Sequence, residues 1–98
     1  MHSFWHEDAA EELKSEVSWL EAQAPGLGQR FLDDVSTALR TIEEFPELGA
    51  HRSLGCRRFL LMNFPFDLVY SLSEGQIVVL ALAHQRRLPG YWKNRLPK

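Results

Sequence analysis

From Glu7 to Ala24 the chain reads EDAAEELKSEVSWLEAQA, and Ala10, Leu13, Val17, Leu20 and Ala24 recur at steps of three and four residues. That spacing draws one apolar stripe and predicts an amphipathic helix over 7–24. Trp19 sits beside the stripe and widens it. Glu7, Asp8, Glu11 and Glu12 crowd the first turns, where the helix dipole favours negative charge. Pro25 and Gly26 end the pattern, because proline lacks an N–H and restricts the residue before it. A second stripe, Phe31, Leu32, Val35, Ala38, Leu39, Ile42 and Phe45, predicts a helix over 27–45 that Pro46 closes, and Gly49 lets the chain turn away. So short a joint makes the two helices an antiparallel hairpin. Neither can bury its stripe alone, and a third surface is required.

Beyond residue 50 the period shortens. RRFLLMNF predicts a strand over 57–64 and FDLVYSL one over 66–72, with Phe66, Leu68, Tyr70 and Leu72 alternating onto one face. Ser73, Glu74 and Gly75 make a tight turn. QIVVLALAH, over 76–84, is apolar at nearly every position, as suits a central strand covered on both faces, or partly covered on one. The expected fold is therefore α+β: a two-helix hairpin packed on a small, mainly antiparallel sheet of three strands. HSFW at residues 2–5 offers a fourth, parallel or antiparallel, and the tail GYWKNRLPK reads as one helical turn or irregular chain.

Size and composition change this picture little. Ninety-eight residues, 45% of them hydrophobic, make one globular domain over 1–98 with a thin core. Cys56 stands alone, which excludes an internal disulfide and suits a reducing cytoplasm. The N-terminus has no apolar signal region, and the longest apolar run, Ile77 to Ala83, is too short to span a membrane. Charge is more informative than its total of −2: residues 1–49 hold 11 acidic and 3 basic side chains, and residues 50–98 hold 2 and 8. The asymmetry points to a polyanion or an acidic partner on one face, or simply to acids covering solvated helix surfaces.

The basic half gathers its cations at two places. His84 closes the last strand, Arg86 and Arg87 follow, and Tyr91 and Trp92 lie just beyond; Arg57 and Arg58 open the first strand. In a sheet of hairpins these ends can share one edge and form a concave patch. Arginine forks clamp phosphates, while tyrosine and histidine stack on bases or move protons. RNA cleavage through the ribose 2′-oxygen needs a proton acceptor, cations on the phosphate and an acid for the leaving oxygen. The histidines are scattered without carboxylates at ligand spacing, so neither a metal nor a cofactor is expected. Structural roles compete with these. His84 can cap a strand end, one of Arg57 and Arg58 can reach solvent or an acidic helix, Arg87 can pair with an acid of the first half, and Trp92 can close the core.

The segments WHEDAAEEL, PGLGQRFLDDVSTALRTIEEFPELG, RRFLLMNFPFDLVY and VLALAHQRRLPGYWKNR resemble, in this order and over nearly the whole chain, those of the RelE/ParE toxin superfamily. The most specific pieces are Phe64-Pro65-Phe66 leading to Val69-Tyr70, and Arg87-Leu88-Pro89-Gly90-Tyr91-Trp92 after His84. The resemblance implies a toxin of a bacterial type II toxin–antitoxin pair, acting in the cytoplasm and silenced by a cognate antitoxin that alone brings it to operator DNA. It implies one of two targets: DNA gyrase, as for ParE-like proteins, or mRNA in the ribosome, as for RelE-like endoribonucleases. A non-toxic antitoxin-binding homologue is a third reading. Under the nuclease reading Arg58, His84, Arg87 and Tyr91 are the catalytic candidates, with Arg57 and Arg86 as phosphate or target contacts. Leu60 and Met62 stand where the nucleases are expected to carry further cations, which favours the gyrase reading.

Overall fold

The first residues form a strand, β1 (Ser3–Trp5), and His6 turns the chain into a helix, α1 (Glu7–Gln23). His6 Nδ1 accepts the Asp8 N–H at 3.1 Å, serving one of the free donors of the first turn. In the computed structural model, which describes residues 1–87 and 90–96, a second helix follows after three residues, α2 (Leu27–Glu44). The joint is tight. The Glu21 carboxylate accepts the N–H groups of Gly26 and Gly28 at 2.9 and 3.0 Å, doing for α2 what a capping side chain would do. Gly28 is also where the helices meet: a Cβ there would lie 2.8 Å from the Val17 carbonyl oxygen.

The remaining strands are β2 (Ala50–His51), β3 (Cys56–Leu60), β4 (Phe66–Ser73) and β5 (Gln76–His84). They form one sheet in the order β1-β5-β4-β3-β2. Neighbours are antiparallel except β1, which runs parallel to β5 with Phe4 opposite Val78. The α+β architecture of a helix hairpin on a mainly antiparallel sheet is thus present, with five strands rather than three or four. The extra one, β2, is two residues long and has no alternating pattern to betray it.

The strand expected over 57–64 stops at Leu60. Asp34, buried on α2, accepts the backbone N–H of Asn63 at 2.9 Å and its side-chain amide at 3.1 Å, pulling 61–65 out of the sheet. Pro65 could not have donated to a ladder in any case.

Helices and sheet enclose the main core on one face, where Phe31, Val35 and Ile42 meet Leu68, Tyr70, Ile77 and Val79. Phe31 packs edge-on against Phe64 and Phe66 at 5.0 and 5.1 Å. Trp19 does not widen the α1 stripe: it is 59% exposed, because it lies about 100° around the helix from Leu20. Ala24 and Phe45, read as stripe ends, are exposed, and so is Leu72.

Between Val69 and Tyr70 the β4–β5 register slips, so that Val69 faces Ala81 while Tyr70 faces Val79. Leu80 is the extra residue. The bulge turns both Leu80 and Ala81 to the opposite face, where they pack with Cys56, Val69 and Trp92 in a second, smaller core. This explains why 76–84 lacks alternation: helices cover one side of β5, and the C-terminal segment covers the other. That segment contains a short 3-10 turn, Lys93–Arg95. Leu88 and Pro89 of the RLPGYW motif, and Pro97 and Lys98, lie outside the described residues. Among the described residues no helix is long and apolar enough to cross a membrane.

Candidate functional site

After β5 the chain reverses within three residues. His84 accepts twice: Nδ1 takes the Arg86 N–H at 3.1 Å and its carbonyl takes the Arg87 N–H at 2.9 Å. The edge of the His84 ring sits against Phe66, with centroids 5.0 Å apart. Further on, Gly90 adopts φ +82°, and the Lys93 side chain lies across it so closely that a Cβ would stand 2.6 Å from Lys93 Cε. The positive φ favours glycine there, whereas the lysine side chain is flexible and could move aside. The segment then returns over the open face of the sheet and anchors on buried Trp92.

This return closes a pocket of about 160 Å³. Arg58, His84, Arg87 and Tyr91 all line it, joined by Arg52 and Lys93. Arg57 does not, since adjacent strand residues face opposite sides of a sheet. It points to the helix side and donates to the carbonyls of Glu47 and Gly49 at 2.9 and 3.0 Å, tying down the loop after α2. Arg86 is exposed outside the pocket lining.

The four nuclease candidates are therefore neighbours, but three of them are engaged. Arg58 is held by Asp67, which has no accessible surface: Nε donates to Oδ2 at 2.6 Å and Nη2 contacts the same oxygen. Tyr91 donates its hydroxyl to Glu12 Oε2 at 2.8 Å. Burial, then that hydrogen bond and the Glu12 charge, push the Tyr91 phenol up to about 12, against the weaker pull of Arg87 and Arg95. A phenol so placed stays protonated at neutral pH and does not serve as a base. His84 has committed Nδ1 to the backbone. Arg87 is the freest, its guanidinium stacked 4.0 Å above the Tyr91 ring. Among the described residues no ion pair engages Arg52, Arg86, Arg87 or Lys93. The pocket is thus cationic and open to an anion; Arg58 and Tyr91 are bound to Asp67 and Glu12, while His84 Nε2 has no hydrogen-bond partner among the described residues.

Asp67, Glu12 and Arg95 build this site, and sequence reasoning passed over all three. Asp67 carried a signal, an acid in an otherwise apolar strand beside a basic one. Glu12 carried none, being one of four acids in the first turns, and its partners lie 70 to 83 residues away. Cys56 sits buried beneath the pocket floor, its thiol raised by burial, which suits a packing role. No group of three or more His, Cys, Asp or Glu among the described residues is arranged to hold a metal ion.

A helix hairpin roofing a five-stranded sheet, with a cationic pocket on the reverse face after the last strand, defines a RelE/ParE-type toxin domain. The sequence profile of the ParE toxin of type II toxin-antitoxin systems, parDE, matches residues 4–89, and the chain belongs to that family. It is the toxin component of a type II toxin–antitoxin system, and its partner there is an antitoxin. A chain of the solved chromosomal ParDE TA system from P. aeruginosa superposes with a TM-score of 0.75 at 19% identity, over 86% of this chain and 95% of that one. At that identity the likeness is one of fold. A search of curated proteins finds no match.

Proposed function

We propose that this toxin acts in the cytoplasm by binding DNA gyrase and inhibiting it, and that it contacts its target with the open face around Arg52, Arg86, Arg87 and Lys93. The observation that carries this reading is the commitment of Arg58 and Tyr91, two of the four groups a ribonuclease would use, to carboxylates of this chain. Arg58 neutralises Asp67, Tyr91 is a protonated donor to Glu12, and Leu60 and Met62 are exposed apolar side chains where further cations would be wanted. A protein that works by binding needs an accessible cationic surface and no proton relay, and that surface remains. The antitoxin then silences the toxin by covering surface the target needs.

One observation favours the ribosome-dependent nuclease instead: Arg58, His84, Arg87 and Tyr91 do line a single pocket. The two readings part cleanly in one pair of assays. Purified toxin is expected to inhibit gyrase supercoiling and to leave mRNA intact on programmed ribosomes, and Arg87→Ala is expected to weaken the inhibition while circular dichroism stays unchanged. Cleaved mRNA with unaffected supercoiling would reverse the assignment; neither effect would make the protein a non-toxic antitoxin binder.

A further inference from the structure

β1 covers the outer edge of β5 only as far as Val79, where Trp5 is the last paired residue and His6 donates its N–H to the Val79 carbonyl at 2.9 Å. The chain then leaves as α1, and among the described residues no strand lies beside the edge of β5 beyond that point. In a parallel ladder, the residue opposite Ala81 would accept the Leu82 N–H and donate to the Leu80 carbonyl. Two side chains do this. Glu12 Oε1 accepts the Leu82 N–H at 3.1 Å, and Arg95 Nη1 donates to the Leu80 carbonyl at 2.9 Å. The pair is joined to itself by Nη1 to Oε1 at 3.0 Å and Nη2 to Oε2 at 3.2 Å. An ion pair thus supplies the acceptor and the donor of an absent strand residue.

The same carboxylate reaches the site. Glu12 Oε2 takes the Tyr91 hydroxyl at 2.8 Å, and the Tyr91 ring carries the Arg87 guanidinium at 4.0 Å. Asp8 adds a weaker contact to Arg95 Nε at 3.7 Å. Glu12 and Arg95 side chains are only 18% and 12% exposed, so the pair is largely shielded from water.

We infer that Glu12 is a positioning residue of the toxin: with Arg95 it latches the C-terminal segment to the free edge of β5, and through Tyr91 it fixes where Arg87 is presented. The link from Glu12 to toxicity rests on the reading above that the Arg87 face meets the target; the latch itself does not. The first helix meets the last strand and the tail, both some 70 or more residues away in sequence, at this one carboxylate. Holding them together closes an edge that another strand could otherwise add to.

The experiment uses the full chain with Glu12→Gln, and Arg95→Gln as the second variant in case the first folds poorly. Amide exchange, the tyrosine ring signals through an alkaline titration, and growth arrest on induction are followed together. With the latch, Glu12→Gln speeds Leu82 exchange by about tenfold while β4 amides keep their wild-type rates. It also brings the Tyr91 midpoint from about 12 down towards the ordinary tyrosine range, and it weakens growth arrest to about the level of Arg87→Ala. Unchanged Leu82 exchange and unchanged Tyr91 titration in both variants would overturn the latch. Both shifting while growth arrest stays at wild-type strength would overturn the positioning role. Wild-type toxin that arrests growth but spares gyrase would remove the proposed target and leave these outcomes readable.

Discussion

Asp67 and Tyr91 show how single residues set the chemistry of the pocket. Asp67 is fully buried, and its charge is tolerable because Arg58 lies against it. Asp67→Asn removes that compensation and leaves the guanidinium facing a neutral amide. A loss of about 2 to 3 kcal/mol is expected, read as a lower midpoint in urea with an unchanged slope. Tyr91 gives a signature at the opposite end of the pH scale. Its folded phenol, at about 12, lies above the unfolded value of about 10, so the folded chain keeps a proton that the unfolded chain releases. Stability from this residue is therefore complete below pH ~10 and is lost as pH rises towards about 12. Urea unfolding at stepped alkaline pH is expected to show a steeper decline for wild type than for Tyr91→Phe. Tyr70, also raised by burial, declines in the same sense in both proteins.

Elements are joined here at close approaches more than by broad surfaces. The helix hairpin depends on Gly28, where Val17 and Glu21 leave no room for a methyl group. Gly28→Ala is expected to force the helices apart and cost roughly 1 to 3 kcal/mol, measurable as a drop in melting temperature with helical circular dichroism kept at low temperature. The loop leaving α2 is held in a comparable way. The buried Tyr70 hydroxyl donates to the Pro46 carbonyl at 2.8 Å and accepts the Gly49 N–H at 3.0 Å. Tyr70→Phe is expected to remove about 1 to 2 kcal/mol, with Gly49 amide exchange accelerated more than that of the strands. These points explain which elements could be read in advance. Both helices follow a long stripe bounded by Pro25 and Pro46, and a local period needs no knowledge of partners. β2 is two residues with both side chains exposed, and the end of β3 is set by Asp34 on a distant helix, so neither leaves a local trace.

For the whole molecule, the decisive fact is that the sheet must be covered twice. Helices roof one face, and the other is closed by a tail of a few residues centred on Trp92, which is 6% exposed. Trp92→Ala is expected to lower stability by about 3 to 5 kcal/mol, a large share of what a chain of this size possesses. The melting temperature is expected to fall by more than ~12 °C, with Val78, Leu80 and Ala81 gaining solvent accessibility in exchange experiments. The acidic first helix meets the basic tail at the sheet edge, where Asp8 and Glu12 contact Arg95, so part of the charge asymmetry along the chain is neutralised by folding.

The chain's own order of residues was enough to determine two amphipathic helices, a run of strands, an almost wholly apolar β5 and a cluster of cations after His84. All of these follow from periodicity and from the local chemistry of proline, glycine and charge. Tertiary structure alone decided which cations remain available. Arg57 and Arg58 are adjacent in sequence, yet one ties a loop and the other neutralises Asp67, while Arg52 and Lys93 join the pocket from distant segments. The reason is physical: a strand sends neighbouring side chains to opposite faces, and whether a buried charge is free or engaged depends on partners that only folding brings within hydrogen-bonding distance.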